Sequence, residues 1–267
     1  MPPMQPLGPG RRLPFACAVV GVLVAARLVA PAAAARVAAT DRSERTFTLG
    51  AGQSLGVAMS VGSLRVTGEA GRRDVRVDIT RHAPSTAALA LMPIVVAEGA
   101  DGPRLTVTQT ADGADPALRT EVVVTAPLDA ALEPLSVAEG RIDLRGLRGR
   151  VRARVARGPI AADDVGGILR LETTIGSVEV TRAVLDARGL LRLRAFNGDV
   201  RLSLAMPLRD TRVMALALNG TVTSSVPLAL KDGWGPRWGE ATVGRPDRVV
   251  SLDVVTGAIR IDAPAAP

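Results

Sequence analysis

Aromatic side chains are almost missing from this 267-residue chain, which has three Phe, two Trp and no Tyr. Val, Leu, Ile and Ala must therefore build any core, and the stacking platforms used to bind single-stranded nucleic acid are not supplied. Cysteine occurs once, at Cys17, which excludes a disulfide scaffold and Cys-based metal centres. Histidine also occurs once, at His82, which excludes multi-His zinc sites. Its neighbours Arg81 and Ala83 make it an exposed polar residue rather than a general base. No phosphate-binding loop is present, Gly50-Ala51-Gly52-Gln53-Ser54-Leu55-Gly56 lacks dinucleotide spacing, and no Gly-x-Ser-x-Gly elbow occurs. The expectation is a protein that is not an enzyme, holds no cofactor and binds no nucleic acid.

Lysine is scarce as well, with Lys231 the single one among 33 cationic side chains, and the formal net charge is +7. A basic chain can meet nucleic acid, an anionic membrane or an acidic polysaccharide. Acidic residues are interspersed here, however, and an Arg-rich codon preference accounts for the composition equally well.

Residues 1–35 read as a signal peptide. Arg11 and Arg12 give the positive start, Leu13 to Ala26 the apolar stretch, and Ala32 to Ala35 the small residues for cleavage. Arg27 leaves the apolar run shorter than the roughly 20 residues a membrane span needs, so a cleaved leader is favoured over a retained anchor. Leu13-Pro14-Phe15 is a poor twin-arginine context, and Cys17 sits in the wrong place for a lipidation box. The leader would engage the membrane during export and place the protein in the periplasm or outside the cell. Residues 36–45 then read as a linker, 46–262 as one domain with a β-rich half at 46–127 and a repeat half at 128–262, and 263–267 as a tail.

Short alternating bursts fill the first half, among them Arg45 to Leu49, Leu64 to Thr67, Val75 to Ile79, Leu105 to Val107 and Val122 to Val124. Period 2 with Gly, Asp and Pro between bursts is the mark of strands and turns. Ser85 to Met92 is Ala/Leu-rich and predicts a short helix ended by Pro93.

The second half repeats. Glycine recurs at intervals of 9 at Gly140, Gly149, Gly158, Gly167 and Gly176, then at Gly189 and Gly198, with later copies at Gly220 and Gly257. Each of Gly140, Gly149, Gly176, Gly198, Gly220 and Gly257 opens a unit with apolar or small residues at the second and fourth positions after it, as in Gly176-Ser177-Val178-Glu179-Val180. Gly62-Ser63-Leu64-Arg65-Val66 has the same form. A fixed period outranks local propensity. A strand of about 5 residues and a turn of about 4 fill one unit, with glycine at the corner, and stacked units share a continuous aliphatic core. The fold class expected is all-β, a parallel β-solenoid or β-helix-like stack of short strands with a β-rich N-terminal part. Asn197-Gly198 and Asn219-Gly220 would also suit hairpin turns, but the regular spacing favours corners of a parallel coil.

With two units per coil, Arg152 lies beside Arg170 and then Arg192, and the neighbouring outward row is Arg154, Glu172 and Arg194. The alternate face carries Asp143, Ala161, Glu179, Arg201 and Thr223. One face thus bears an arginine ladder. It reads either as a basic strip for a linear polyanion, an acidic polysaccharide or lipid headgroups, or as a solvated face in an Arg-rich chain. Asp163-Asp164 is the adjacent acidic pair a polysaccharide-cleaving β-helix would need, but the following Val165-Gly166-Gly167 suits a turn. Trp234 and Trp238 either stack on a sugar ring or cap the core.

The repeated Gly-x-apolar-x-apolar units behind a leader resemble the "putative adhesin" family of bacterial envelope proteins, over roughly Val57 to Asp262. The resemblance implies a β-solenoid fold and adhesion, and brings no catalytic residue with it. Residues Lys231 to Arg248 depart from the pattern. The functional expectation is an exported, non-catalytic structural or binding module of the cell envelope, its partner a cell-envelope polysaccharide or another envelope protein. A polyanion-binding module and a carbohydrate-active β-helix enzyme are the alternatives.

Overall fold

The computed structural model describes residues 39–109, 117–187, 189–231 and 235–265. The leader and Trp234 lie outside them. Residues Arg36–Pro267 belong to one compact unit. Its elements are β1 (Ala39–Phe47), β2 (Leu55–Glu69), β3 (Val75–Ala83), α1 (Thr86–Leu89), β4 (Ile94–Gly99), β5 (Gly102–Val107), β6 (Arg119–Pro127), β7 (Leu132–Arg145) and β8 (Arg150–Arg157). They continue with β9 (Ile160–Asp163), β10 (Ile168–Ile175), β11 (Val178–Ala183), β12 (Leu190–Asn197), β13 (Val200–Leu204), β14 (Thr211–Ser224), β15 (Ala229–Lys231), β16 (Arg237–Val243) and β17 (Arg248–Asp262). The molecule is all-β, and among the described residues the one short helix falls within the stretch expected to be helical, capped by Ser85 accepting from the Ala88 amide.

Pairing organises the strands into two rows. The first runs β4, β5, β2, β7, β8, β10, β12, β17, β14, β16, β15. The second runs β1, β3, β6, β2, β7, β9, β11, β13, β17, β14. From β2 to β14 every pairing in both rows is parallel, and the antiparallel ones lie toward the ends: β1–β3, β3–β6, β4–β5, β14–β16 and β15–β16. The long strands β2, β7, β14 and β17 bend and serve both rows.

Alternation explains why these segments are strands. Arg150–Arg157 reads exposed, buried, exposed, buried, exposed, buried before its last two residues, with Val151, Ala153 and Val155 inside. Their partners Leu169, Leu171 and Thr173 point the same way, because parallel pairing in register puts like positions on like faces. Row one (Leu171, Leu193) and row two (Ile142, Val178, Val200) belong to one core, and none of its buried members is aromatic. The buried hydroxyl of Thr173 donates to the Gly158 carbonyl at 2.9 Å, so burial leaves it satisfied.

The corner glycines stack on one another. Gly140 and Gly158 have φ of 142° and 134°. A Cβ on Gly140 would collide with the Gly62 carbonyl oxygen, and one on Gly158 with that of Gly140. The same relation continues through Gly176, Gly198, Gly257 and Gly220. Gly149 and Gly167 occupy a different corner, against the backbone of Asp129 and Arg148, and Gly189 lies beside Asp186.

Two expectations need correction. Residues 39–45, read as linker, are strand β1 paired with β3. Thr223 does not follow Arg201: Arg260 lies between them. Likewise Gly257 lies between Gly198 and Gly220. The cause is a swap in chain order. After β13 the chain lays down β14, turns through β15 and β16, and returns as β17 in the slot between β12 and β14. Asp199 Oδ1 accepts the Ala258 amide at 2.9 Å, which keys the returning strand to the corner at Gly198.

Candidate functional site: an arginine strip on the first row

The strip forms on β8, β10 and β12. Arg152 pairs with Arg170, and Arg170 with Arg192. The row beside it is Arg154, Glu172 and Arg194. Adjacent strands lie about 4.8 Å apart, so guanidinium groups from three successive strands stand over one another on the outer face. Ser251 and Asp253 of β17 close the two rows. Beyond them stand Met214 and Leu216 of β14, so the cationic stretch ends there.

Arg152, Ala153, Arg154, Arg170, Leu171, Glu172, Arg192 and Arg194, with Pro134 to Ser136, line a groove of about 520 Å³. Five guanidinium groups face one carboxylate there. Glu172 stands 3.8 Å from Arg154, and Asp253 3.9 Å from Arg192, both beyond hydrogen-bond range. Among the described residues, Arg152, Arg170 and Arg194 have no carboxylate within ion-pair distance. Like charges set opposite on neighbouring strands repel, and the buried faces of the same strands would pack equally well beneath neutral residues.

The second row presents a different surface. Along it stand Asp143, Ala161, Glu179, Arg201, Arg260 and Thr223, two carboxylates toward one end and two arginines toward the other. Arg260 is held by Asp262 at 2.8 Å, a hydrogen bond that raises its pKa. The sequence reading of a mixed face holds once Arg260 is inserted.

The other candidates are engaged elsewhere. Asp163 accepts from Thr181 at 2.8 Å and from Arg182, and the Thr181 hydrogen bond first, then that of Arg182, hold its carboxyl below the ordinary range. Asp164 turns the chain at φ 52° and meets Arg148 at 2.6 Å. The two carboxylates therefore have separate cationic partners and do not form a general acid–base pair. His82 Nδ1 lies 3.2 Å from Thr40 Oγ1, a bond joining β3 to β1. Trp238 lies in β16, near the end of the first row, with the Lys231 ammonium 4.8 Å from its ring centre, a cation–π contact. Among the described residues no cluster of side chains suits a metal ion, and no helix is long and apolar enough to cross a membrane.

Sequence reasoning missed one feature. Ala58, Met59, Ser60, Thr106, Val107, Thr108, Ser136, Val137, Ala138, Arg154 and Ala156 line a second, largely apolar trough of about 290 Å³. It shares Ser136 and Arg154 with the arginine groove.

No protein-family model matches the chain, and no curated protein matches it in sequence. Solved structures do match. A "putative cell adhesion protein" from Clostridium sporogenes is 13% identical, with a TM-score of 0.50 over 84% of this chain and 100% of the other. A "putative adhesin" from Bacteroides fragilis is 14% identical, with a TM-score of 0.32 over 83% of this chain and 97% of the other. A "putative lipid binding protein" from Parabacteroides distasonis is 8% identical, with a TM-score of 0.29 over 83% and 96%. The first of these shares the fold; the other two are too distant to carry an argument.

Proposed function

We propose that this chain is an exported, non-catalytic binding module of the bacterial cell envelope, an adhesin-like β-solenoid that recognises polyanions through its arginine strip. The observation that carries the reading is the in-register column Arg152–Arg170–Arg192, flanked by Arg154 and Arg194. Arginine forks suit carboxylate and phosphate geometry, and three of the five have no carboxylate within ion-pair distance among the described residues. A rigid sheet sets their spacing in advance, so little order need be gained on binding. The fold shared with the "putative cell adhesion protein" of Clostridium sporogenes and the leader expected from the sequence of residues 1–35 support an envelope setting.

Retention on heparin, an acidic glycan, tests this. The wild type is expected to bind and to elute earlier as salt rises, because screening weakens exposed charge contacts. The double variant Arg152→Ser/Arg170→Ser is expected to bind about thirtyfold more weakly, since each surface cation contributes about 1 kcal/mol. Unchanged retention of the double variant would refute the assignment of the strip.

A further inference from the structure

The arginine groove does not end in solvent on its β2 side. Val137 pairs with Val155 and Glu139 with Arg157, which sets Ala138 beside Ala156 on adjacent strands. Met59 pairs with Val137 and Val61 with Glu139, which sets Ser60 beside Ala138. Both alanines are exposed. Small side chains at these positions leave the depression, whose lining is mainly Ala, Met and Val. In the other direction the same row passes through Thr174 to Phe196, which is 50% exposed. Ile175, also 50% exposed, stands at the adjoining corner. Arg154 reaches both the trough and the cationic groove.

A purely hydrophilic polyanion would satisfy the arginines and leave this apolar strip in water. A ligand with an anionic head and a hydrocarbon body covers both. Apolar area removed from water adds to affinity in proportion to its extent. Arginine also holds its charged head in the polar layer while its stem packs on apolar surface. Phosphate, like carboxylate, fits the guanidinium fork, and a phospholipid carries that anion directly on a hydrocarbon body.

Resting on the polyanion reading above, we propose that the site takes an anionic phospholipid, with its phosphate on Arg152, Arg154 and Arg170 and an acyl segment along Ala138 and Ala156.

Vesicle flotation with the full chain tests this, with heparin retention as the second readout. Wild-type protein is expected to float with phosphatidylglycerol vesicles and not with phosphatidylcholine vesicles. The variant Ala138→Gln/Ala156→Gln fills the trough with uncharged polar side chains at exposed positions. It should float about tenfold less well, the loss expected when roughly two methylenes are excluded from an apolar site. Its heparin retention and thermal midpoint should match the wild type, which shows that the fold is intact. Arg152→Ser/Arg170→Ser should lose both kinds of binding. Flotation of the trough variant equal to wild type would overturn the lipid inference and leave the arginine strip standing. So would a wild type that holds heparin but ignores phosphatidylglycerol. Failure of the wild type to bind either probe would sink the polyanion reading together with this one.

Discussion

At the scale of the residue, the glycine column is where this sequence has least freedom. Gly158 combines a φ of 134° with a neighbour, the Gly140 carbonyl, that any Cβ would strike. Gly71 provides the contrast, with a φ of 76° and open space around the missing Cβ. Gly71→Ala should cost only conformational strain, roughly 1–2 kcal/mol. Gly158→Ala adds a steric clash between adjacent strands to that strain and should cost about 3 kcal/mol or more. Urea denaturation of both variants checks this; equal losses would mean the column is tolerant and the corner is not close-packed. The strip is built on the opposite principle. Arg152, Arg170 and Arg194 are exposed, lack a carboxylate partner among the described residues, and stand on strands whose stability comes from Val151, Leu169 and Leu193 beneath. Charge on such a face can vary with little consequence for the fold.

At the scale of the element, β17 is the instructive case. It is the last strand of the chain, yet it is paired on both sides along its length, with β12 and β13 on one and β14 on the other. Amide hydrogen exchange should therefore place Leu252 and Val254 in the most protected class, well above Val95 of β4, which pairs on one side only. Fast exchange along β17 would contradict the inserted order. The periodicity of the sequence made the strands, the corners and the row Arg152–Arg170–Arg192 legible, because each depends on spacing within consecutive units. It could not reveal the position of β17, since units of one form are interchangeable and nothing in Gly257-Ala258-Ile259-Arg260-Ile261 says which copy it will adjoin. The trough was illegible for a related reason. Ala138 and Ala156 are unremarkable in the sequence, and they acquire meaning only when β2, far back in the chain, pairs with β7 and brings Ser60 alongside.

For the molecule as a whole, two rows of strands share one aliphatic core but present different exteriors. The first row carries a cationic strip joined to an apolar trough, and the second a surface of mixed sign on which Arg260 is already paired with Asp262. The net charge of +7 is thus unevenly placed, and under the proposed function one face binds while the other does not. Titration with a heparin oligosaccharide, followed by side-chain guanidinium resonances in NMR, measures this directly. Arg152, Arg170, Arg192, Arg154 and Arg194 are expected to shift together and saturate at one concentration, while Arg201 and Arg260 stay in place. Equal shifts at Arg201 and Arg260 would show binding to be a diffuse property of a basic chain, and would contradict the assignment of the strip.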